Sequence, residues 1–342
     1  MNNIDLLGII KNEMTRSRKP ASRRLPTFYP SEASVKLDDG EVVGGCWRKT
    51  WYRVNRIPAS NATDFYLSMI YSFGNHIEDV VVEQMKRAGI YENCKVKFYD
   101  PKYNVSGELD IVGRYRRDNG SIGLYGVEVK SVYGMGATMT ITGRARAWKG
   151  QPAFRAKPKD NNLMQTMIYL DQFTPERGAG YALEGFKLLY LPRDKPVDGR
   201  SYTVTLVSKD DLSGPLTSYG EEMNDGERYA LVESDGLPDY VDTRFSIEDV
   251  YARFAEQKEM FEANVAPDRP FKKYYNEVEV RELYELGKLS KSAFDNFTSG
   301  KKNPGHFLCQ SYCDYRDFCY KRNGSPREEA DNLVQIQGVL TL

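Results

Sequence analysis

The sequence predicts an α/β fold in which a mixed central sheet is flanked by helices. A helical pattern from about residue 63 to residue 86 is followed by three strand-like runs, a second helical pattern and two more strands. Apolar residues alternate or run continuously in the strands, and recur every three or four positions in the helices. This α-β-β-β-α-β order is typical of a sheet covered by helices.

The individual elements follow from local patterns. The three strands are predicted at about 94–100, 104–115 and 122–130, and Asp118-Asn119-Gly120 predicts a hairpin turn between the last two. The remaining predicted strands and helices cover 181–191, 202–207, 47–55, 247–264 and 277–297, with an added strand at 334–342. The acidic segment 219–250 is predicted to be irregular.

Length and composition indicate one elaborated domain. The chain has 342 residues, 40% of them hydrophobic, which suffices for a large core. We expect a basic, partly flexible or extended segment over 1–27, a domain over 28–321 that includes a region of unknown role at 195–300, and a tail over 322–342. No apolar run reaches the ~18 residues of a membrane span, and the start does not resemble a signal peptide. A cytoplasmic location, in a bacterial or phage-infected cell, is expected.

The net charge is zero, but the charges are unevenly distributed. Residues 1–30 carry six basic and two acidic residues, and 141–160 carry six basic and one acidic. Residues 219–250 carry ten acidic and two basic residues. This asymmetry predicts a basic groove and a separate acidic face.

Three residues on the predicted hairpin indicate a metal-dependent hydrolase. Glu128 and Lys130 lie on one face of their strand, and the hairpin places Asp110 beside them. Carboxylate oxygens are the ligands that Mg²⁺ or Mn²⁺ prefers, and a lysine can stabilise developing negative charge. The alternative is a surface hairpin with a solvated Glu–Lys pair. The surrounding apolar residues favour a buried sheet, in which such charges must be paired or bind a metal.

The five cysteines are Cys46, Cys94, Cys309, Cys313 and Cys319. The last three lie close together, and soft thiolates suit an iron–sulfur cluster or zinc. Cys94 is interpreted as a packed thiol.

Taken together, Gly107-x-x-Asp110 and Glu128-x-Lys130 resemble the core motif of the PD-(D/E)xK nuclease superfamily. His76 and the pair Gln165-x-x-x-Tyr169 resemble two further motifs of its RecB-like branch, in the same order along the chain. The resemblance implies a restriction-endonuclease-like core. It also implies that His76, Asp110, Glu128 and the carbonyl of Val129 hold Mg²⁺ or Mn²⁺, and that Lys130, Gln165 and Tyr169 assist catalysis.

One cysteine before this core and three after it resemble the four-cysteine iron–sulfur staple of some RecB-like nucleases, among them CRISPR-associated exonucleases. The resemblance implies a 4Fe-4S cluster on Cys46, Cys309, Cys313 and Cys319 that joins the N- and C-terminal regions. The spacing Cys-x3-Cys departs from the usual Cys-x2-Cys, so zinc bound by four thiolates is the alternative.

The basic segment between the active-site motifs is the predicted DNA-binding loop. Aromatic residues interleaved with cations suit single-stranded nucleic acid, and the candidate contacts are Arg144, Arg146, Trp148, Lys149 and Arg155. A solvated loop is the alternative.

The function expected from these features is a metal-dependent DNA exonuclease that prefers single-stranded DNA or DNA ends, in recombination, repair or replication. A protein partner such as a helicase, recombinase or single-strand-binding protein would fit that role. The alternatives are an end-processing nuclease of the CRISPR-adaptation type within a complex, and a non-catalytic DNA-end-binding subunit. Cleavage polarity and oligomeric state stay open.

Overall fold

The fold was analysed in a computed structural model. The structure describes residues 5–16, 26–61, 65–146, 153–177, 180–194, 197–212, 217–220, 222–287 and 289–321. The predicted contacts Trp148 and Lys149, and the strand predicted at 334–342, lie outside these residues.

The first half of the described chain contains five helices and five strands. In chain order they are α1 (Leu6–Arg16), β1 (Ser34–Lys36), β2 (Val42–Gly44), α2 (Trp47–Val54), α3 (Phe65–Arg87), β3 (Tyr91–Asp100), β4 (Val105–Arg116), β5 (Ile122–Val132), α4 (Gly134–Ala137) and α5 (Asp160–Gln172). A π-helical turn, Thr138–Thr142, extends α4.

The second half of the described chain begins with strands and ends with helices. These are β6 (Gly185–Pro192), β7 (Arg200–Val207), β8 (Thr217–Tyr219), β9 (Tyr229–Glu233), β10 (Tyr240–Asp242), α6 (Ile247–Glu262), α7 (Glu277–Glu285), α8 (Lys291–Thr298) and α9 (Arg316–Lys321). A second π-helical turn, Leu308–Tyr312, precedes α9.

Eight strands form one mixed sheet in the order β3-β4-β5-β6-β7-β9-β10-β8. The pairs β5–β6 and β10–β8 are parallel, and the others are antiparallel. The predicted hairpin between β4 and β5 is confirmed, and Gly120 adopts φ +83°, a left-handed conformation that glycine tolerates without steric cost.

Helices cover both faces of this sheet, so the predicted α/β architecture is confirmed. On one face Met85 of α3 packs against Ile111 and Val127. On the other face α5 is buried along almost its whole length against the strands, and Leu188 and Val204 join its core cluster. Alternation of side chains along β5 therefore directs Val127 toward α3 and Glu128 toward α5.

Three expectations about elements are wrong. Residues Leu6–Arg16 form a helix, not an extended segment, and α1 packs against α3. The acidic segment is not irregular, because β9 and β10 lie in it and extend the sheet. The helix predicted over 277–297 is two helices, and Gly287 at φ +69° lies in the break between them.

None of the helices in the described parts of the chain is long and apolar enough to cross a membrane.

Candidate active site

The candidate active site lies where β4 and β5 separate. Their antiparallel register runs from Arg116↔Ile122 to Ile111↔Val127 and then ends. Asp110, Glu128 and Lys130 come directly after the last pair, on the two diverging strands. Beyond that point β5 pairs with β6 on its other side, up to Val132↔Pro192. The separation leaves room between the side chains of the two strands, while the backbone of β5 stays paired in the sheet.

A continuous chain of hydrogen bonds links four of the predicted catalytic residues. The Lys130 ammonium donates to Glu128 Oε1 at 2.5 Å and to Gln165 Oε1 at 3.1 Å. Gln165 Nε2 donates to Glu128 Oε1 at 3.0 Å and to the Tyr169 hydroxyl at 3.2 Å. Tyr169 in turn donates to the backbone carbonyl of Glu108 at 3.0 Å. Because Gln165 and Tyr169 are four residues apart on α5, one helix face positions both groups.

The second carboxylate oxygen of Glu128 has no partner among the residues that the structure describes. Glu128 is buried, with 4% of its surface exposed, and its Oε2 makes no hydrogen bond in the described structure. A buried charged oxygen without a partner is costly. Such an atom is suited to receive a cation or a donor from a ligand.

Asp110 completes the carboxylate pair. Its Oδ2 lies 3.5 Å from the backbone N of Val129, the residue whose carbonyl was a predicted ligand. Burial, and then the charge of Glu128, raise the pKa of Asp110 to about 6, while Lys130 and Lys95 act in the opposite direction. A carboxyl group whose pKa is raised by burial and by a neighbouring carboxylate favours a bound cation.

Two further charged residues at this site were missed by the sequence reasoning. Glu78 of α3 forms an ion pair with Lys95 of β3, and the same ammonium lies 3.5 Å from Asp110 Oδ1. Burial raises the pKa of Glu78, and the charge of Asp110 contributes in the same direction. Position 95 is strained, because Lys95 adopts φ +55°, where side chains other than glycine are uncommon.

His76 does not join this group. It is exposed on α3, two residues before Glu78, and it makes no hydrogen bond or ion pair with any residue that the structure describes. The sequence signal for Glu78 was available in its spacing from His76. No sequence signal identified Lys95, because its position opposite Asp110 depends on the register of β3 with β4.

The predicted metal sites are not preformed in the described structure. Within the described ranges, no three or more His, Cys, Asp or Glu side chains form a group that could hold a metal ion. Asp110 and Glu128, with its unpartnered oxygen, supply two carboxylate ligands. The predicted backbone ligand, the carbonyl of Val129, belongs to the next residue along β5, whereas His76 is exposed on α3.

The four predicted cluster cysteines share one neighbourhood. Burial is the main cause that raises the pKa of Cys46 to about 12, and the charges of the other three cysteines add to it. A backbone hydrogen bond from Lys49 acts in the opposite direction. Burial likewise raises the pKa of Cys313 to about 11. Arg269 Nε donates to Cys319 Sγ at 3.3 Å. All five cysteines are free thiols, and Cys94 lies apart on β3.

Around these cysteines the N- and C-terminal regions form a second hydrophobic core. Trp51 and Tyr52 of α2 pack with Tyr315 and Cys319, and Cys313 lies at the edge. Asn61 and Asp317 exchange two hydrogen bonds between the same regions, at 2.9 and 3.0 Å. The expected connection of residue 46 with 309–319 is thus present as packing.

The predicted DNA-binding loop ends near Lys130 of the candidate active site. Arg144 and Phe154 pair as an antiparallel bridge, with the guanidinium 5.1 Å from the ring centre. Arg146 and Arg155 are exposed. At the start of α5, desolvation and then the charge of Lys130 lower the pKa of Lys159, so the two ammonium groups lie near each other.

Comparisons with known proteins leave the family open. No family model matches the sequence, and no curated protein matches it. One solved structure, described as the crystal structure of SSO0001, aligns with 14% identity over 78% of this chain and 88% of its own, at a TM-score of 0.34. A similarity this low does not establish a shared fold.

Proposed function

We propose that this chain is a metal-dependent deoxyribonuclease with a RecB-like PD-(D/E)xK core that acts on single-stranded DNA ends. The observation that carries the proposal is Glu128. One of its oxygens is held by Lys130 and Gln165, while the other is buried without a partner beside Asp110. Such an oxygen is costly in a purely structural ion pair, and a bound cation would remove that cost.

Asp110 and Glu128 would hold Mg²⁺ or Mn²⁺. Bound there, the ion would lower the pKa of water and offset negative charge on a phosphodiester. With a pKa of about 6, the carboxyl group of Asp110 is mostly ionised at neutral pH. His76 and the carbonyl of Val129 are the further ligands that the family resemblance implies.

The other residues position the reacting groups. The Lys130 side chain is 25% exposed, so its ammonium can reach a phosphoryl oxygen that gains charge. Gln165 fixes both Lys130 and Glu128, and Tyr169 anchors Gln165 to the backbone of β4. This arrangement holds the lysine before substrate binds, which is the preorganisation that catalysis requires.

We further propose that Cys46, Cys309, Cys313 and Cys319 hold a 4Fe-4S cluster, with zinc as the alternative. Metal binding deprotonates thiols, and would therefore overcome the raised pKa values of Cys46 and Cys313. Arg269 at Cys319 is placed to stabilise negative sulfur.

The direct test uses purified protein with Mn²⁺ on end-labelled linear and circular single strands. We expect degradation of the linear strand and survival of the circle. Glu128→Gln should abolish cleavage and leave DNA binding in place, and Lys130→Ala should lower the rate by a factor on the order of 10²–10³.

Glu92→Gln is the matched control, since Glu92 is a partly exposed carboxylate on β3 that pairs with Arg114 at 3.7 Å. Near-normal turnover by Lys130→Ala would contradict the proposed active site. Binding of DNA ends without cleavage by the wild-type protein would favour a non-catalytic end-binding subunit.

A further inference from the structure

A cavity of about 300 Å³ lies between the end of the DNA-binding loop and the strands β7, β9 and β10. Its walls include three aromatic rings, those of Phe154, Tyr202 and Tyr240. Leu237 adds an apolar surface, and Arg155 adds a cation. This volume is at the lower end of the range for small-molecule sites.

The cavity lies on the same face of the sheet as the active site. Glu128 is registered with Leu188, and Leu188 with Tyr202. Val204 is registered with Val232, and Val232 with Tyr240. Registered side chains point to the same face, and Tyr202 and Val204 also share it because they are two residues apart. At about 4.8 Å per strand, β7 is roughly 10 Å from β5 along this face.

The polar groups at the cavity suit a charged ligand with hydrogen-bonding groups. Arg155 is exposed, and no ion pair or hydrogen bond joins it to the residues that the structure describes. The Ser234 hydroxyl donates to the carbonyl of Ser201 at 2.8 Å and accepts from Arg200 Nη1 at 3.3 Å, which leaves it one lone pair as an acceptor. Asp239 is exposed at the same cavity and can accept from amino or hydroxyl groups.

We infer that this cavity binds one nucleotide of the substrate strand, with its base stacked among the aromatic rings and its phosphate paired with Arg155. Every base has a π-face, so aromatic walls bind bases with little sequence preference. An unpaired guanidinium beside such walls matches a phosphate. This inference rests on the proposed function, since it assumes that a nucleic-acid strand crosses the face between Glu128 and the cavity.

The inference is tested by measuring, with calorimetry in metal-free buffer, how tightly the full chain binds deoxyadenosine 5′-monophosphate. Deoxyribose 5-phosphate lacks the base, and deoxyadenosine lacks the phosphate. We expect the nucleotide to bind at least tenfold more tightly than either fragment. Equal binding of nucleotide and inorganic phosphate would overturn the inference, because a simple anion site would then suffice.

Two variants locate the binding. Leu237→Trp should fill the cavity and weaken nucleotide binding at least tenfold, with the thermal unfolding midpoint as the check on folding. Arg155→Ala changes an exposed side chain and should weaken the nucleotide severalfold while leaving deoxyadenosine unaffected. Lys187→Met is the control, since Lys187 faces the opposite side of the sheet and bonds Thr203 at 2.6 Å. If Leu237→Trp does not fold, the binding of nucleotide and deoxyadenosine by Arg155→Ala tests the inference alone.

Photolabelling with an azido-adenine nucleotide locates the bound base independently of the variants. We expect label on peptides that contain 154–157 or 231–240. Label confined to the peptide with Glu128 would overturn the inference while leaving the nuclease proposal intact. Conversely, nucleotide binding in the cavity without cleavage of any strand would refute the nuclease proposal and keep the binding site.

Discussion

At the scale of single residues, the position of Asp110 makes its charge sensitive to pH. Burial and Glu128 raise its pKa to about 6, compared with about 3.9 in an unfolded chain. The native metal-free protein therefore binds more protons than the unfolded chain between about pH 4 and pH 6. Its stability falls as pH rises through that window, and the loss is complete above it.

The Asp110→Asn variant should show this loss directly. Because asparagine cannot ionise, we expect metal-free Asp110→Asn to be more stable than wild type at pH 7.5, by on the order of 1–3 kcal/mol. Near pH 4 the two proteins should unfold at similar temperatures. Thermal unfolding across this range in chelator provides the measurement. A wild-type advantage at pH 7.5 would show that Asp110 is stabilised as a carboxylate.

Lys95 supplies a resident positive charge at the same site. Its ammonium pairs with Glu78 and lies 3.5 Å from Asp110, although its side chain is 47% exposed. A cation in this position stabilises the carboxylates and also repels an incoming metal ion. Solvent screening limits both effects.

We therefore expect Lys95→Met to bind Mn²⁺ severalfold more tightly than wild type, measured as free Mn²⁺ by electron paramagnetic resonance. Lys97→Met is the control on the same strand, because Lys97 is 79% exposed and pairs with Glu108 at 3.8 Å. Weaker Mn²⁺ binding by Lys95→Met would mean that Lys95 orders the carboxylates and does not compete with the metal.

The residues that could be predicted at this site are those with local patterns. Spacing alone placed Glu128 and Lys130 on one face and Gln165 with Tyr169 on another, and the structure joins all four. Lys95 could not be predicted, because its contact with Asp110 depends on a left-handed residue and on strand register. His76 had the expected helix but not the expected contact, since a helix pattern does not fix rotation toward the sheet.

At the scale of elements, the predicted DNA-binding loop has the clearest testable consequence for binding. Its exposed cations Arg146 and Arg155 flank the stretch that contains Trp148. Each phosphate that a cation neutralises on a single strand contributes about −0.7 to the slope of log affinity against log salt.

Replacing both Arg146 and Arg155 by alanine should flatten that slope by about 1.4 if each holds one phosphate. Binding to a short single strand, with Ca²⁺ in place of Mg²⁺ and at several salt concentrations, gives the slope. The double variant Lys301→Ala/Lys302→Ala removes two exposed cations elsewhere and serves as the control. An unchanged slope in the loop variant would favour the alternative that this segment is a solvated loop without contacts to DNA.

Most elements with a long pattern were predicted well, apart from the helix over 277–297, and the short strands were missed. Strands β3, β4 and β5 and helix α6 agree with their apolar periodicity to within a few residues. The strands β9 and β10 are only five and three residues long. Such short runs among acidic residues carry too little periodicity to be recognised, and the sheet edge on which they pair determines their conformation.

At the scale of the whole molecule, contacts in the second core join α2 to the region around α9, far away in the sequence. Tyr52 is central to the second core, with ring centres 5.3 Å from Tyr315 and 5.1 Å from Phe318. Packing between residues this far apart in sequence is lost when the chain unfolds. Only a covalent or metal bond between them would also restrain the unfolded chain. The family resemblance predicted that Cys46 lies near the last three cysteines, and the Cys-x3-Cys spacing left both an iron–sulfur cluster and zinc as candidate ligands.

The metal content of protein purified without oxygen decides between the two candidates. We expect iron with labile sulfide and broad visible absorbance, and about one zinc per chain without iron would favour the zinc site. Cys309→Ser should lower both the metal content and the unfolding temperature, because binding is coupled to folding. Cys94→Ser is the matched control, since Cys94 lies on β3, outside the second core. If chelated and metal-loaded proteins unfold at the same temperature, the second core holds the two ends together by packing alone.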